Sequence, residues 1–240
     1  MYEAEIKPHL KAGKTLCCSH GFAYVFNTIV PPADVDVIMV APKGPGTEVR
    51  RVFEEGFGCP GLIAVHQNPS GKARDVALAM AKAEGLTRGG VLECTMAQET
   101  YEDLFGEQNV LCGGLVDLMK YGFETLTEAG YPPEMAYFEC VHEAKLIVDL
   151  IYNGGIQKMN SVISNTAEFG EYYNGPQILP ADVKERMKES LKRIESGKFA
   201  KDWLEEAAKG APSLKAKREA LGQHPVEIVG AKIRSLFERN

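Results

Sequence analysis

The sequence lacks most of the marks that assign a function at a glance. No apolar run approaches the about eighteen residues needed to cross a bilayer, so no transmembrane segment and no membrane partner are read in these 240 residues. Basic charge is not in excess: 27 Lys and Arg face 33 Asp and Glu, a net charge of −6. A nucleic-acid partner, which calls for a basic face, is therefore not expected. The six cysteines (Cys17, Cys18, Cys59, Cys94, Cys112 and Cys140) include no CxxC pair and no metal-finger spacing. They read as reduced thiols of a cytoplasmic protein rather than a disulfide framework, and no basic and apolar signal segment precedes them. Also missing are a GxGxxG turn after a strand, a GxxxxGK[ST] phosphate loop and a GxSxG elbow. Neither a nucleotide site nor a serine nucleophile can be read from a motif.

What is present is ordinary globular material, 45% hydrophobic and 25% charged, with enough apolar residues for a sizeable core. From residue 14 to about 95, short apolar runs alternate with helical stretches. KTLCCSHGF ends a strand; DVDVIMVAPKGPG is a strand running into a Pro/Gly-rich loop; GLIAVHQNPSG repeats that design. ARDVALAMAKAEGL reads as a helix stopped by Gly85, and GGVLECT as a further strand. This alternation predicts an α/β unit, a parallel sheet covered by helices. Ligands of such sheets sit beyond the carboxyl ends of the strands, where SHGF, APKGPG and HQNPSG are expected. After residue 96 long helical patterns dominate, with Pro132 and Pro133 at a helix start and Gly154 and Gly155 at a stop. PADVKERMKESLKRIESGKFAKDWLEEAAKG reads as one further helix, solvated on its Lys/Glu face. The predicted boundary lies near residue 95, α/β before it and all-α after it.

Two acidic pairs stand at helical i, i+4 spacing: Asp103 with Glu107, and Glu139 with Glu143. Such residues share a face, and like charges so placed mildly repel, which favours a solvated surface. Their surroundings are apolar, however: Leu104, Phe105, Val110 and Leu111 beside one pair, Tyr137, Phe138, Val141 and Ile147 beside the other. Two pairs on separate helices would fit around a divalent cation, which offsets repulsion and desolvation. Oxygen ligands point to a hard ion such as Mg²⁺ or Mn²⁺. Spacing leaves both readings open. His20, between a strand and a glycine, suits a structural hydrogen bond or a site. Lys43 in APKGPG is a turn lysine or a ligand contact, its glycines letting backbone approach. Ser164 reads most simply as a helix N-cap. His66 and His142 carry no signature.

Longer strings resemble one family. HGF (20–22), VDVIMVAPKGPG, EEGFGCPGLIAVHQ, DLFGEQNVLCGG, EAGYPPEMAYFECVHEAKLIVDLIYNGG, ISNTAE and HPVEIVGAKIR together look like ketol-acid reductoisomerase, over nearly all 240 residues. The resemblance implies a Rossmann-type NADP-binding domain, here only its C-terminal part at 1–95, followed by a knotted all-helical domain at 96–240 that binds metal and substrate. It implies the short-chain class, a homodimer with shared active sites that can build larger assemblies. Asp103 and Glu107 match the first pair of ligands for two Mg²⁺ ions, and Glu139 and Glu143 match the second pair, contributed by the partner chain. Glu99 matches a further acid near the metals, and Ser164 the serine that contacts the substrate carboxylate. His20 and Lys43 match catalytic polar residues that help position substrate and cofactor, and Gly21 of HGF a cofactor contact. The implied activity is Mg²⁺-dependent alkyl migration and NADPH-dependent reduction of a 2-hydroxy-2-alkyl-3-oxo acid, such as 2-acetolactate or 2-aceto-2-hydroxybutyrate. The product is a 2,3-dihydroxy acid of valine and isoleucine biosynthesis.

Some features depart from the family pattern. Its opening strand and glycine-rich pyrophosphate turn have no counterpart, and Met1 is expected to fall inside the Rossmann-type domain, beyond its first half. That loss bears on cofactor binding, since such a turn and helix N-terminus normally cradle the pyrophosphate. Ala23 stands where a polar residue is common, and Tyr101 where an acid is. Two competing expectations follow: a catalytically silent, Mg²⁺-binding, dimerising remnant of the enzyme, or a carboxylate-bridged dimetal hydrolase on a shared helical scaffold. The HGF and APKGPG strings weigh against the hydrolase.

Overall fold

Val35 to Ala41 buries every residue, none more than 4% exposed, as a strand covered on both faces must. It forms the core of β2 (Asp36–Pro42), which lies between β1 (Thr15–Cys18) and β3 (Gly61–Gln67), with β4 (Val91–Glu93) beyond β3. The computed structural model describes residues 1–237. Two compact units divide the chain, Met1–Leu104 and the residues from Phe105 onward. Each has its own core.

In the first unit β1 runs parallel to β2 and β4 parallel to β3, so parallel pairings dominate. The central pair, β2 with β3, is antiparallel, Pro42 facing Gly61, with a register shift between Val37 and Ile38. That direction corrects one expectation. HQNPSG, leaving the end of β3, emerges beside the start of β2, at the edge opposite SHGF and APKGPG. There the Ser70 backbone N–H and hydroxyl both donate to the buried Asp36 carboxylate. Gln67 donates to the Pro32 and Val35 carbonyls. The string GFGCPG (56–61) leads into the first residue of β3 instead of following a strand, the reverse of a dinucleotide-binding turn.

The helices of this unit are α1 (Phe22–Val25), α2 (Gly46–Glu54), α3 (Ala73–Ala83), α4 (Leu86–Gly89) and α5 (Met96–Gly106), whose last residues enter the second unit. Ala73, Ala77 and Ala81, spaced by four, are all fully buried. This small-residue stripe lets α3 lie close on the sheet, against Ile38, Val40 and Ile63. Gly85, at φ +81°, stops α3 as expected. α5 packs on the sheet's other face, where Met96 joins Tyr24, Val37, Met39, Ala41 and Ala64. That contact seats the first turn of α5 on the sheet.

The second unit is helical among its described residues: α6 (Gly114–Glu128), α7 (Pro133–Tyr137), α8 (Glu143–Asn160), α9 (Asn165–Ile178), α10 (Ala181–Glu195), α11 (Lys198–Ala208), α12 (Pro212–Gly222) and α13 (Pro225–Ser235). Its core brings α13 back onto α6 and α7, joining Phe123, Ala136, Tyr137, Val226, Val229 and Ile233. His224 caps α13: its Nδ1 accepts from Val226 N–H at 3.2 Å, which leaves Nε2–H to donate to Glu124 at 2.8 Å. Gly230 is required where α13 meets Tyr137, because a Cβ would lie 2.6 Å from the ring. One helix expectation needs correction. The single helix read from PADVKER to EEAAKG breaks at Gly197, φ +76°, into α10 and α11. The expected stop at Gly154 and Gly155 is found: Gly155, at φ +79° and ψ 171°, is non-helical and interrupts the span α8, whose second stretch runs on to Asn160.

Candidate active site

The carboxyl edge of β1 and β2 gathers four polar side chains of the first unit. β1 hands the chain to Ser19, His20 and Gly21, and Gly21 is the N-cap of α1. His20 Nδ1 accepts the Phe22 backbone N–H at 3.2 Å, which fixes the ring and points Nε2 at Asp103 Oδ2, 3.4 Å away. Lys43 follows β2, its backbone N–H tied to the Pro60 carbonyl at 2.8 Å. Its ammonium donates to Glu99 Oε1 at 2.9 Å and to Asp103 Oδ1 at 3.0 Å. Glu99 and Asp103 are themselves an i, i+4 pair on one face of α5.

Gly21 sets how closely this turn meets α5. A Cβ there would stand 2.3 Å from Thr100 Oγ1 and 2.6 Å from Met96 Cγ, so only glycine fits without displacement. Thr100 is fully buried, its hydroxyl donating to the Met96 carbonyl at 2.8 Å. Through this contact His20 is held beside the acidic face of α5.

The electrostatics of the cluster are unbalanced. The Glu99 side chain is 1% exposed, and its Oε2 has no hydrogen-bond partner among the described residues; nor has His20 Nε2. Burying a carboxylate oxygen unpaired is costly, so Glu99 depends on the one ammonium that reaches it. Burial works against the charge of Lys43, but the hydrogen bonds and charges of Glu99 and Asp103 outweigh it and raise its pKa above the usual lysine value. Ligand atoms of His20, Glu99 and Asp103 lie within 4.8 Å of one another. This set, rich in carboxylate oxygen with two unpartnered buried atoms, fits a hard divalent cation.

Glu107, Glu139, Glu143 and Ser164 belong to the second unit, whose described residues hold no group of three metal-ligating side chains. Glu107 opens a π-helical turn, Glu107–Leu111, and Glu139 lies in another, Phe138–His142, immediately before Glu143 begins α8. All three are exposed. π-turns inside helices are frequent at functional sites. His142, between the second pair, stacks on Phe237 at 5.2 Å. Ser164 is the N-cap of α9, its Oγ accepting from Ala167 N–H at 3.1 Å. Helical spacing carried a signal that the Asp103/Glu107 pairing left unused: Glu99, Asp103 and Glu107 form one series with step four. The buried Thr100 carried none, because its importance comes from a turn far away in sequence.

Comparison with known proteins fixes the family. The family model described as "Acetohydroxy acid isomeroreductase, NADPH-binding domain" matches residues 1–90. The model described as "Ketol-acid reductoisomerase, C-terminal domain" matches residues 96–239. A ketol-acid reductoisomerase (NADP(+)) of Akkermansia muciniphila is 99% identical over 240 residues, covering all of this chain and 74% of that protein. A ketol-acid reductoisomerase (NAD(+)) of the uncultured archaeon GZfos26G2 is 67% identical over 237 residues, covering 99% of this chain and 71% of its own. The solved structure of an NADH-preferring ketol-acid reductoisomerase from an uncultured archaeon superposes with a TM-score of 0.98 at 67% identity, covering 99% of this chain and 72% of that one. With this sheet, these helices and an acidic cluster at the sheet edge, the chain belongs to the ketol-acid reductoisomerases and is an enzyme of that family.

Proposed function

We propose that this chain converts a 2-hydroxy-2-alkyl-3-oxo acid, 2-acetolactate or 2-aceto-2-hydroxybutyrate, to a 2,3-dihydroxy acid by Mg²⁺-dependent alkyl migration and NADPH-dependent reduction. The observation that carries this reading is the buried Glu99 carboxylate, with one oxygen unpartnered, beside Asp103, Lys43 and His20. A buried, half-unpartnered carboxylate beside a second carboxylate suits a hard cation and the oxygen-rich substrate it would carry. Asp103 and Glu107 are read as ligands for two Mg²⁺ ions, completed by Glu139 and Glu143 of a second copy. When bound, the cations supply Lewis-acid polarisation of the substrate's oxygens and the nicotinamide supplies the hydride.

The chain's own residues then divide the remaining work. Lys43 and His20 place positive charge and a proton donor beside the acidic face of α5, where negative charge on substrate oxygen needs partners. Glu99, buried and tied to Lys43, orients that ammonium. Ser164, at the N-terminus of α9, offers a hydroxyl and the first N–H groups of a helix to the substrate carboxylate. Residues 1–95 are read as the nucleotide side, with Gly21 at the approach to His20, and residues 96–240 as the metal and substrate side. Relatives named for NADP⁺ and for NAD⁺ both match; the 99% identical one carries the NADP⁺ name and supports NADPH.

Shared active sites require a homodimer, and the second unit exposes the apolar surface for one. α9 buries no residue, and Phe169, Tyr172 and Tyr173 on it are each more than 60% exposed. Exposed apolar surface on this scale marks an interface. A cytoplasmic location is supported by six free cysteines, four of them within the first unit at Cys17, Cys18, Cys59 and Cys94. The test supplies the purified chain with 2-acetolactate, Mg²⁺ and NADPH and follows nicotinamide absorbance. Mg²⁺-dependent consumption is expected, with Asp103→Asn reducing it at least about a hundredfold. Absence of both turnover and Mg²⁺ binding would refute the reading.

A further inference from the structure

A lysine bonded to two carboxylates is, in charge and position, a monovalent cation already in place. Lys43 Nζ holds Glu99 Oε1 and Asp103 Oδ1 at 2.9 and 3.0 Å. Asp103 Oδ2 faces the imidazole at 3.4 Å. Both oxygens of the carboxylate read as a metal ligand are therefore approached by groups of this chain, while Glu99 Oε2 has no hydrogen-bond partner among the described residues. Without Lys43, two carboxylates one helical turn apart, one of them buried, would repel each other at the sheet edge. With it, an arriving divalent ion meets a positive charge about one hydrogen bond from its ligand.

We infer that Lys43 is a resident counter-ion which competes with the divalent cation for Asp103. It holds Glu99 and Asp103 together while the cation is absent, and it weakens cation binding by the repulsion it adds. Coupling between two binding events is reciprocal: a cation on Asp103 loosens the Lys43 ammonium from it, leaving Lys43 on Glu99 and free to turn toward substrate. The tether that makes this possible is Glu99, whose burial and lack of another partner keep the ammonium within reach after Asp103 is given up. This inference rests on Asp103 being a cation ligand, as proposed above.

The test is calorimetric titration of Mg²⁺ into the full chain and its Lys43→Met variant, with thermal melts with and without Mg²⁺. Lys82→Met, an exposed lysine on α3, controls for net charge. Lys43→Met is expected to bind Mg²⁺ about threefold to tenfold more tightly, as removal of one partly screened like charge implies, while Lys82→Met changes affinity less than about twofold. Lys43→Met is also expected to melt lower than the parent without Mg²⁺ and to recover more of the difference when it is added. Lys43→Arg, which keeps the charge, should stay near the parent value, and Lys43→Gln serves if the methionine variant fails to fold. Unchanged or weaker Mg²⁺ binding in the neutral variants would overturn the counter-ion role. No Mg²⁺ binding by the parent would instead overturn the metal reading itself.

Discussion

Cys18 shows how one residue carries the physics of its setting. It ends β1, its thiol reaching the Ile38 carbonyl at 3.6 Å and Met96 Sδ at 3.9 Å. Burial first, and the neighbouring Cys17 and Glu99 next, push its pKa up to about 12 from an ordinary 9.0. The unfolded chain then releases this proton near pH 9 while the folded chain keeps it, so stability falls as pH rises from about 9 toward 12. Cys18→Ala is expected to flatten that alkaline limb in pH-dependent denaturant melts; an unchanged slope would contradict the assignment. The same thiol should resist alkylation at pH 8 in the native state, since the thiolate is the nucleophile. At this scale much was legible: Asp103 stood out by spacing, and Ser164 as a cap. The Lys43 to Glu99 contact was not, because 56 positions separate them and only the course of the chain joins them.

The element that organises the first unit is α5. One face carries Met96 into the sheet core, Thr100 faces the His20 turn, and Glu99 and Asp103 face Lys43. Gly21→Ala drives a Cβ into Thr100 and Met96. A destabilisation of about 1–3 kcal/mol is expected in chemical denaturation, the usual cost of overpacking, with part of it recovered by adding Thr100→Ala. Ser164→Ala removes the α9 cap and should cost about 1 kcal/mol, besides weakening substrate binding. Periodicity located β2 and α3 because a doubly buried strand and an alanine-striped helix have distinctive patterns. It could not give strand direction: apolar residues alternate alike in either sense, so HQNPSG was placed at the wrong edge. The break at Gly197 was present in the sequence as a glycine, but the Lys/Glu repeats on both sides continued the helical pattern across it.

For the whole molecule, the decisive property is how much of the second unit's apolar surface is uncovered. Tyr152 on α8 is 81% exposed, with Ile156, Phe169, Tyr172, Tyr173 and Ile178 each above half. A solitary chain with such a surface invites association, and light scattering is expected to give a dimer or a multiple of dimers. A stable monomer would deprive Glu139 and Glu143 of the site assigned to them. The acidic cluster of the first unit is where metal and lysine would meet, and a crystal of the chain soaked in Mn²⁺ tests it most directly. An anomalous peak bonded to Asp103 is expected, with Lys43 retained on Glu99 and drawn away from the aspartate. Manganese found elsewhere or not at all, with Lys43 still bridging both carboxylates, would contradict it.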